Sequence, residues 1–234
     1  MAEDSRVRIS AGSYDLNKWL YGGYEKDVVT VIYGGPGTGK TNFCLLAAVS
    51  QAKKRKKVIF IDSEGGFSVE RVKQMSGEDY ELVLSNILLL KPTNFAEQKK
   101  AFDELLKSLK DEAGLIIVDS MTILYRIELA LARGESNEEV KKLNSELARQ
   151  MKIFAEIARK RSIPVILTNQ VYMMDEATRM VGGDILRYWA KCLIELSNER
   201  GRRIACLRKH RSLPEKEFEF VIVESGIKKK GFFG

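Results

Sequence analysis

The chain has 234 residues, 44% hydrophobic and 30% charged, with a net charge of +7 and an isoelectric point near 9.2. That size and apolar content suit one large α/β domain, and the basic balance suits a polyanionic partner. Apolar runs such as Ile87–Leu90 and Leu115–Val118 are too short to span a bilayer, and the N-terminal MAEDSRVRIS has no apolar signal region. Cys44, Cys192 and Cys206 form neither a metal spacing nor an even disulfide set, so reduced thiols in the cytoplasm are expected, with no membrane partner.

In chain order, Ser10–Tyr24 sets Leu16, Trp19 and Leu20 at helical spacing and closes in Gly22-Gly23. A short amphipathic helix capping the first core strand is predicted there. Val28–Tyr33 is an apolar, β-branched run and reads as a buried strand. It breaks into Gly34, Gly35, Pro36, Gly37, Thr38 and Gly39, then restarts as a helix at Lys40, Thr41 and Asn42. Gly34-x-x-x-x-Gly39-Lys40-Thr41 fits the phosphate-loop pattern at each fixed position. Glycines let backbone N–H groups turn inward around a polyphosphate, and the helix that follows presents its positive end. In this pattern Lys40 carries charge to the β/γ-phosphates of ATP, and the Thr41 hydroxyl faces Mg²⁺. A glycine-rich turn without ligand is the competing reading, and the strand–loop–helix context speaks against it.

Helix Lys40–Gln51 leads to the charged turn Lys53–Lys57, strand Val58–Asp62, and a helix from about Ser68. Strand Ile87–Leu90, helix Phe95–Lys110, strand Leu115–Asp119, a loop and a long helix over about Glu138–Arg161 follow. Strand Ile163–Thr168 then enters an irregular stretch containing Gly182-Gly183. The remainder is strand-like: Cys192–Ser197, Arg202–Arg208 and Phe218–Glu224. Alternating strands and helices predict a mostly parallel sheet flanked by helices, and the closing strands predict an antiparallel C-terminal end. One domain covering 1–234 is expected, with 1–24 as an N-terminal cap and 225–234 as a basic tail.

Two acids and an amide end strands at the carboxyl edge, where open α/β sheets bind ligands. Asp119 is placed to hold Mg²⁺ opposite Thr41, although a helix-capping acid would look the same in isolation. Glu64 follows strand Val58–Asp62 and can polarise a water for attack on the γ-phosphate. Gln170 follows strand Ile163–Thr168 and can pass the state of that phosphate to the next loop. His210, the lone histidine, has no ligand partners at metal spacing.

The segments GGPGTGKTN, FIDSEGGFSVER, LIIVDSMTILYR and VILTNQV resemble RecA-superfamily recombinases of the archaeal and eukaryotic branch, in order and spacing, over about residues 10–225. The resemblance implies a RecA-like core, Mg-ATP binding, a cis peptide at Asp119–Ser120, and two DNA-contacting loops. Arg126 and Arg133 belong to the first loop and Arg179 to the second, with Lys53, Lys54 and Arg55 as further phosphate contacts. No helical domain is read ahead of the core, no Phe-x-x-Ala subunit anchor is present, and the second loop, Tyr172–Val181, is short. The chain therefore resembles a short paralogue of RadA recombinases: a nucleoid-associated recombination and repair accessory with weak ATPase activity, weak self-association and RadA as a partner. Lys209-His210-Arg211 also resembles the inter-subunit finger of KaiC-like ATPases, with Lys209 and Arg211 as its cations. A KaiC-like regulatory ATPase acting on a protein is the alternative reading.

Overall fold

Valine- and isoleucine-rich runs buried on both faces form the middle of a nine-stranded sheet. The computed structural model describes residues 7–109, 113–132, 136–174 and 177–231. Its elements run β1 (Arg8–Ile9), α1 (Tyr14–Trp19), β2 (Tyr24–Glu25), β3 (Val29–Gly34), α2 (Lys40–Ala52), β4 (Lys57–Asp62), α3 (Val69–Ser76) and α4 (Tyr80–Ser85). Next are β5 (Ile87–Leu90), α5 (Phe95–Ser108), β6 (Ala113–Asp119), α6 (Ile123–Ala132), α7 (Asn137–Arg161), β7 (Val165–Asn169), β8 (Val171–Met174) and β9 (Ala177–Met180). The chain continues through α8 (Gly183–Trp189), β10 (Cys192–Glu199), β11 (Arg202–Lys209), β12 (Lys216–Val223) and β13 (Gly226–Lys229).

The sheet order is β13-β12-β11-β10-β3-β7-β6-β4-β5. Strands β10, β3, β7, β6, β4 and β5 are mutually parallel, and β11 to β13 add on antiparallel. Successive side chains point to opposite faces. Val58, Phe60 and Ile117 therefore pack with α2, α3 and α4 through Phe43, Val72 and Val83. Ile59, Ile61, Ile116 and Val118 pack on the other face with α5, α6, α7 and α8 through Phe102, Tyr125, Phe154 and Leu186. The antiparallel strands extend the first face beneath the phosphate loop: Phe220 meets Phe43 edge-on, with ring centroids 5.3 Å apart.

The expected mixed sheet is present, and several local expectations need correction. The helix expected over Ser10–Tyr24 is confined to α1. Ser13 caps it by accepting from Leu16 N, and the short pair β1–β2 takes up the flanking residues. The helix from Ser68 splits in two at Gly77, whose φ of 61° ends α3. Most of the loop expected before Glu138 is helix α6, which therefore carries Arg126. The irregular second loop holds the antiparallel pair β8–β9, with Tyr172 opposite Arg179. Gly182 and Gly183 start a helix rather than break one: Gly182, with φ of 62°, is the N-cap of α8. Strand β10 belongs to the parallel set through β3 as well as to the antiparallel set through β11. Part of the expected basic tail is β13, paired with β12.

Candidate nucleotide-binding site

Parallel strands bring their carboxyl ends to one edge, and here Tyr33 pairs with Asn169 and Asp62 with Asp119. Between β3 and α2 the backbone turns tightly. A Cβ on Gly34 would sit 2.2 Å from the Leu196 carbonyl oxygen, so this position has room for glycine alone. Gly39 caps α2 with φ of 110°, a left-handed conformation that aims the first N–H groups of the helix into the loop. Lys40 is 6% exposed. Its ammonium donates to the carbonyls of Gly34 at 3.0 Å and Gly35 at 2.9 Å. Burial lowers its pKa, and the charges of Glu64 and Asp119 oppose that shift. Thr38 stiffens the loop by donating to Gly35 O at 2.9 Å.

Asp119 ends β6 and is fully buried. Its Oδ2 accepts from Thr41 Oγ1 at 2.6 Å, and its Oδ1 accepts from Thr168 Oγ1. Burial raises its carboxyl pKa, while the two hydroxyl donors pull it down. The Asp119–Ser120 peptide is cis. Ser63 locks the two strand ends together: its N–H donates to Asp119 O at 2.7 Å and its Oγ accepts from Ser120 N at 3.0 Å. Thr41 and Asp119 are hard oxygen donors of the kind Mg²⁺ takes beside phosphates and water. Among the described residues no cluster of three or more His, Cys, Asp or Glu side chains could hold a metal unaided. A cation shared with bound phosphates is the metal chemistry these residues fit.

Asp62 shapes the loop that carries Glu64. Its two carboxylate oxygens accept from Gly66 N and Phe67 N, each at 3.0 Å, and Phe67 anchors edge-on to Phe60. Glu64 is thereby held over the same edge, where Gln170 Nε2 donates to its Oε1 at 2.5 Å. Desolvation and the charge of Asp119 raise the Glu64 carboxyl pKa, with Lys40 and the Gln170 bond acting against them. The structure thus brings Lys40, Thr41, Asp119, Glu64 and Gln170 to one edge. Asn42 differs, because its side chain accepts from Arg71 Nε at 2.9 Å and is turned toward α3.

The remaining candidates are not gathered in one place. Arg126 lines a groove of about 790 Å³ with Tyr125, Asn144, Tyr172 and Gly182, and Arg179 lies exposed on neighbouring β9. Arg133 lies outside the described residues. Lys53, Lys54 and Arg55 follow the far end of α2, just before β4 begins, at the amino edge of the sheet. Lys53 pairs there with Asp79 at 3.0 Å. Lys209 and Arg211 are engaged within their own chain. Lys209 donates to the carbonyls of Arg187 and Ala190, both at 2.8 Å. Arg211 forks onto Asp27 at 2.7 and 2.6 Å and reaches Glu25 at 2.9 Å. His210 is not isolated either, lying 3.7 Å from the buried Glu25. Asp62, Ser63, Thr168 and Arg71 were not foreseen. Only Asp62 left a signal in the sequence, as an acid ending an apolar strand.

The chain is similar to known proteins along most of its length. The Rad51 family model matches residues 3–230. The DNA repair and recombination protein RadB of Methanobrevibacter smithii is 40% identical over 223 residues, covering 91% of this chain and 92% of that one. The protein of the same name from Methanocaldococcus jannaschii is 40% identical over 212 residues, covering 91% and 98%. A solved structure described as the RadB recombinase superposes with a TM-score of 0.81 at 35% identity, covering 95% of this chain and all of that one. With a family match along nearly its full length and that superposition, the chain belongs to the Rad51 family.

Proposed function

We propose that this protein is an ATP- and DNA-binding accessory of homologous recombination and DNA repair, with weak Mg²⁺-dependent ATPase activity. The observation that carries the reading is the joint placement, on one sheet edge, of the phosphate loop, the Thr41–Asp119 pair and the Glu64–Gln170 pair. Relatives named DNA repair and recombination protein RadB supply the biological setting. Lys40, fixed by the loop carbonyls, provides positive charge to the phosphates. Bound Mg²⁺ would be held by Thr41 and Asp119 and would offset charge on those phosphates. Glu64 orients a water and accepts its proton, while Gln170 fixes the carboxylate and links it to β8. The KaiC-like alternative loses its main support, since Lys209 and Arg211 are spent on internal contacts.

DNA contacts would come from Arg126 and Arg179 at the carboxyl edge, through phosphates rather than base edges. Lys53, Lys54 and Arg55 face another edge and would contribute mainly to long-range attraction. Without a Phe-x-x-Ala anchor, and with only the short β8–β9 pair in place of a long second loop, the protein would bind DNA without building a filament. A full-length RadA recombinase is the proposed partner, modulated by this chain in the nucleoid. Strand-exchange assays and electron microscopy with ATP and DNA test this part. The expected result is no exchange and no regular filaments from the purified protein alone. Long filaments that exchange strands would overturn the accessory role.

A further inference from the structure

Arg71 lies on α3, one turn beyond the loop that carries Glu64. Its own N–H is held by the capping hydroxyl of Ser68 at 3.2 Å. Its guanidinium then spans two other parts of the molecule. Nε donates to Asn42 Oδ1 at 2.9 Å. One terminal nitrogen donates to Glu224 O at 2.8 Å and to Gln74 Oε1 at 2.7 Å, and the other to Val223 O at 2.7 Å and, more weakly, to Gly226 O at 3.4 Å. Asn42 directly follows Thr41 on the first turn of α2. Val223, Glu224 and Gly226 form the β12–β13 turn, and β12 also underlies the phosphate loop through Phe220 against Phe43. A planar fork with fixed donor directions can make such a bridge, whereas a point charge cannot.

We propose that Arg71 is a positioning residue for the nucleotide site. It fixes the first turn of α2 through Asn42, and so the direction of the Thr41 hydroxyl, against the C-terminal hairpin and the Glu64 loop. The inference rests on the reading of this edge as an Mg-nucleotide site. Thr41 Oγ1 is itself anchored on Asp119 Oδ2, so losing the Arg71–Asn42 arm would let the turn rotate while the strand-end carboxylate stays in place. The cost would fall on the metal-dependent part of binding more than on folding.

The test uses the full chain, a fluorescent ATP analogue and a Mg²⁺ titration, with thermal unfolding measured alongside. Asn42→Ala cuts only the arm to α2 and keeps the hairpin contacts. It should raise the Mg²⁺ concentration for half-saturation about fivefold, a shift of the size one charge-assisted hydrogen bond allows. Its unfolding midpoint should stay within about 3 °C of wild type. Arg71→Ala and Arg71→Lys should give shifts of similar size, and Asn42→Ala with Arg71→Lys should add nothing to either alone. Should Arg71→Ala fail to fold, Asn42→Ala and Arg71→Lys still decide. A folded Asn42→Ala with an unchanged Mg²⁺ half-point, or additive shifts in the double variant, would overturn the inference. Lys40→Ala runs in parallel. Unchanged analogue binding there would bring down the nucleotide-site reading itself, and the inference with it.

Discussion

Lys40→Ala should weaken ATP binding by up to roughly a hundredfold, so that concentrations just saturating the wild type leave most of the variant empty. The ammonium is buried, and it is already held by the two loop carbonyls beside which a polyphosphate would lie. A charge-assisted hydrogen bond to a charged partner contributes about 3 kcal/mol at most, roughly a hundredfold in affinity. Hydrolysis should fall at least as far, because the same charge is needed more as negative charge develops on the transferring phosphoryl group. Folding should change little. Of the two lost bonds, one goes to the buried Gly34 carbonyl and the other to the half-buried Gly35, and the desolvation cost of the ammonium disappears along with them. Isothermal titration with ATP and Mg²⁺, together with a thermal melt, checks both halves. Equal nucleotide affinity in the variant would return the glycine-rich loop to a structural role.

Glu64→Gln should separate binding from turnover. The amide keeps the size of the side chain and an oxygen to accept from Gln170, so ATP affinity should hold within about twofold. It cannot take a proton from water, so the hydrolysis rate should drop by about two to four orders of magnitude. The pH profile gives the same group a second signature. Desolvation and the nearby Asp119 hold the Glu64 carboxyl pKa above its ordinary value. The base works only when ionised, so the wild-type rate should be lost as pH falls through that raised pKa. The acid limb should therefore lie above the ordinary glutamate value of about 4.3. In Glu64→Gln that limb should vanish from whatever hydrolysis remains. An unchanged turnover rate, or the same limb in the variant, would assign the water to another group.

Much of this site was legible in the sequence because its parts are local. A phosphate loop is a contiguous pattern with fixed glycines, and Asp119, Glu64 and Gln170 each stand at or just after the end of an apolar run. Parallel pairing then gathers those ends without further instruction. The elements that were missed lacked such local marks. Helix α6 has Ile123, Leu124, Tyr125, Ile127, Leu129 and Leu131, apolar almost all round, so no single stripe stands out at helical period. Gly182-Gly183 is an ordinary breaker pair, and only the left-handed geometry at Gly182 makes it a helix start. Arg71 could not be singled out at all: its partners at Asn42 and Val223 lie 29 and 152 residues away. The same holds for Lys209 and Arg211. A basic turn looks free in one dimension, and its engagement with Ala190 and Asp27 belongs to the tertiary fold.

The fold also sorts the basic residues in a way that net charge alone does not. A surplus of +7 says only that a polyanion is attracted. Several basic side chains are held by structural contacts, Arg71 on the hairpin carbonyls, Arg211 on Asp27 and Lys230 on Glu219 at 3.0 Å. Arg126 and Arg179 lie on exposed surface near the carboxyl edge, on α6 and on β9, and Gln170 directly precedes β8, the partner strand of β9. A change at the Glu64–Gln170 pair has a short path to this region, since Val181 N–H donates to Gln170 O at 3.2 Å and Asn169 Nδ2 donates to Val181 O at 2.9 Å.

DNA affinity measured against salt, with and without Mg-ATP, tests most directly the proposal that one sheet edge binds ATP and DNA together. Binding should be independent of sequence and weaken steeply with salt, the logarithm of the affinity falling per decade of salt by about 0.7 for each phosphate contacted on a single strand or about 0.9 on a duplex. Mg-ATP should change the affinity in the wild type and leave it unchanged in Lys40→Ala. DNA affinity indifferent to salt, or a nucleotide response that persists in Lys40→Ala, would contradict the proposal.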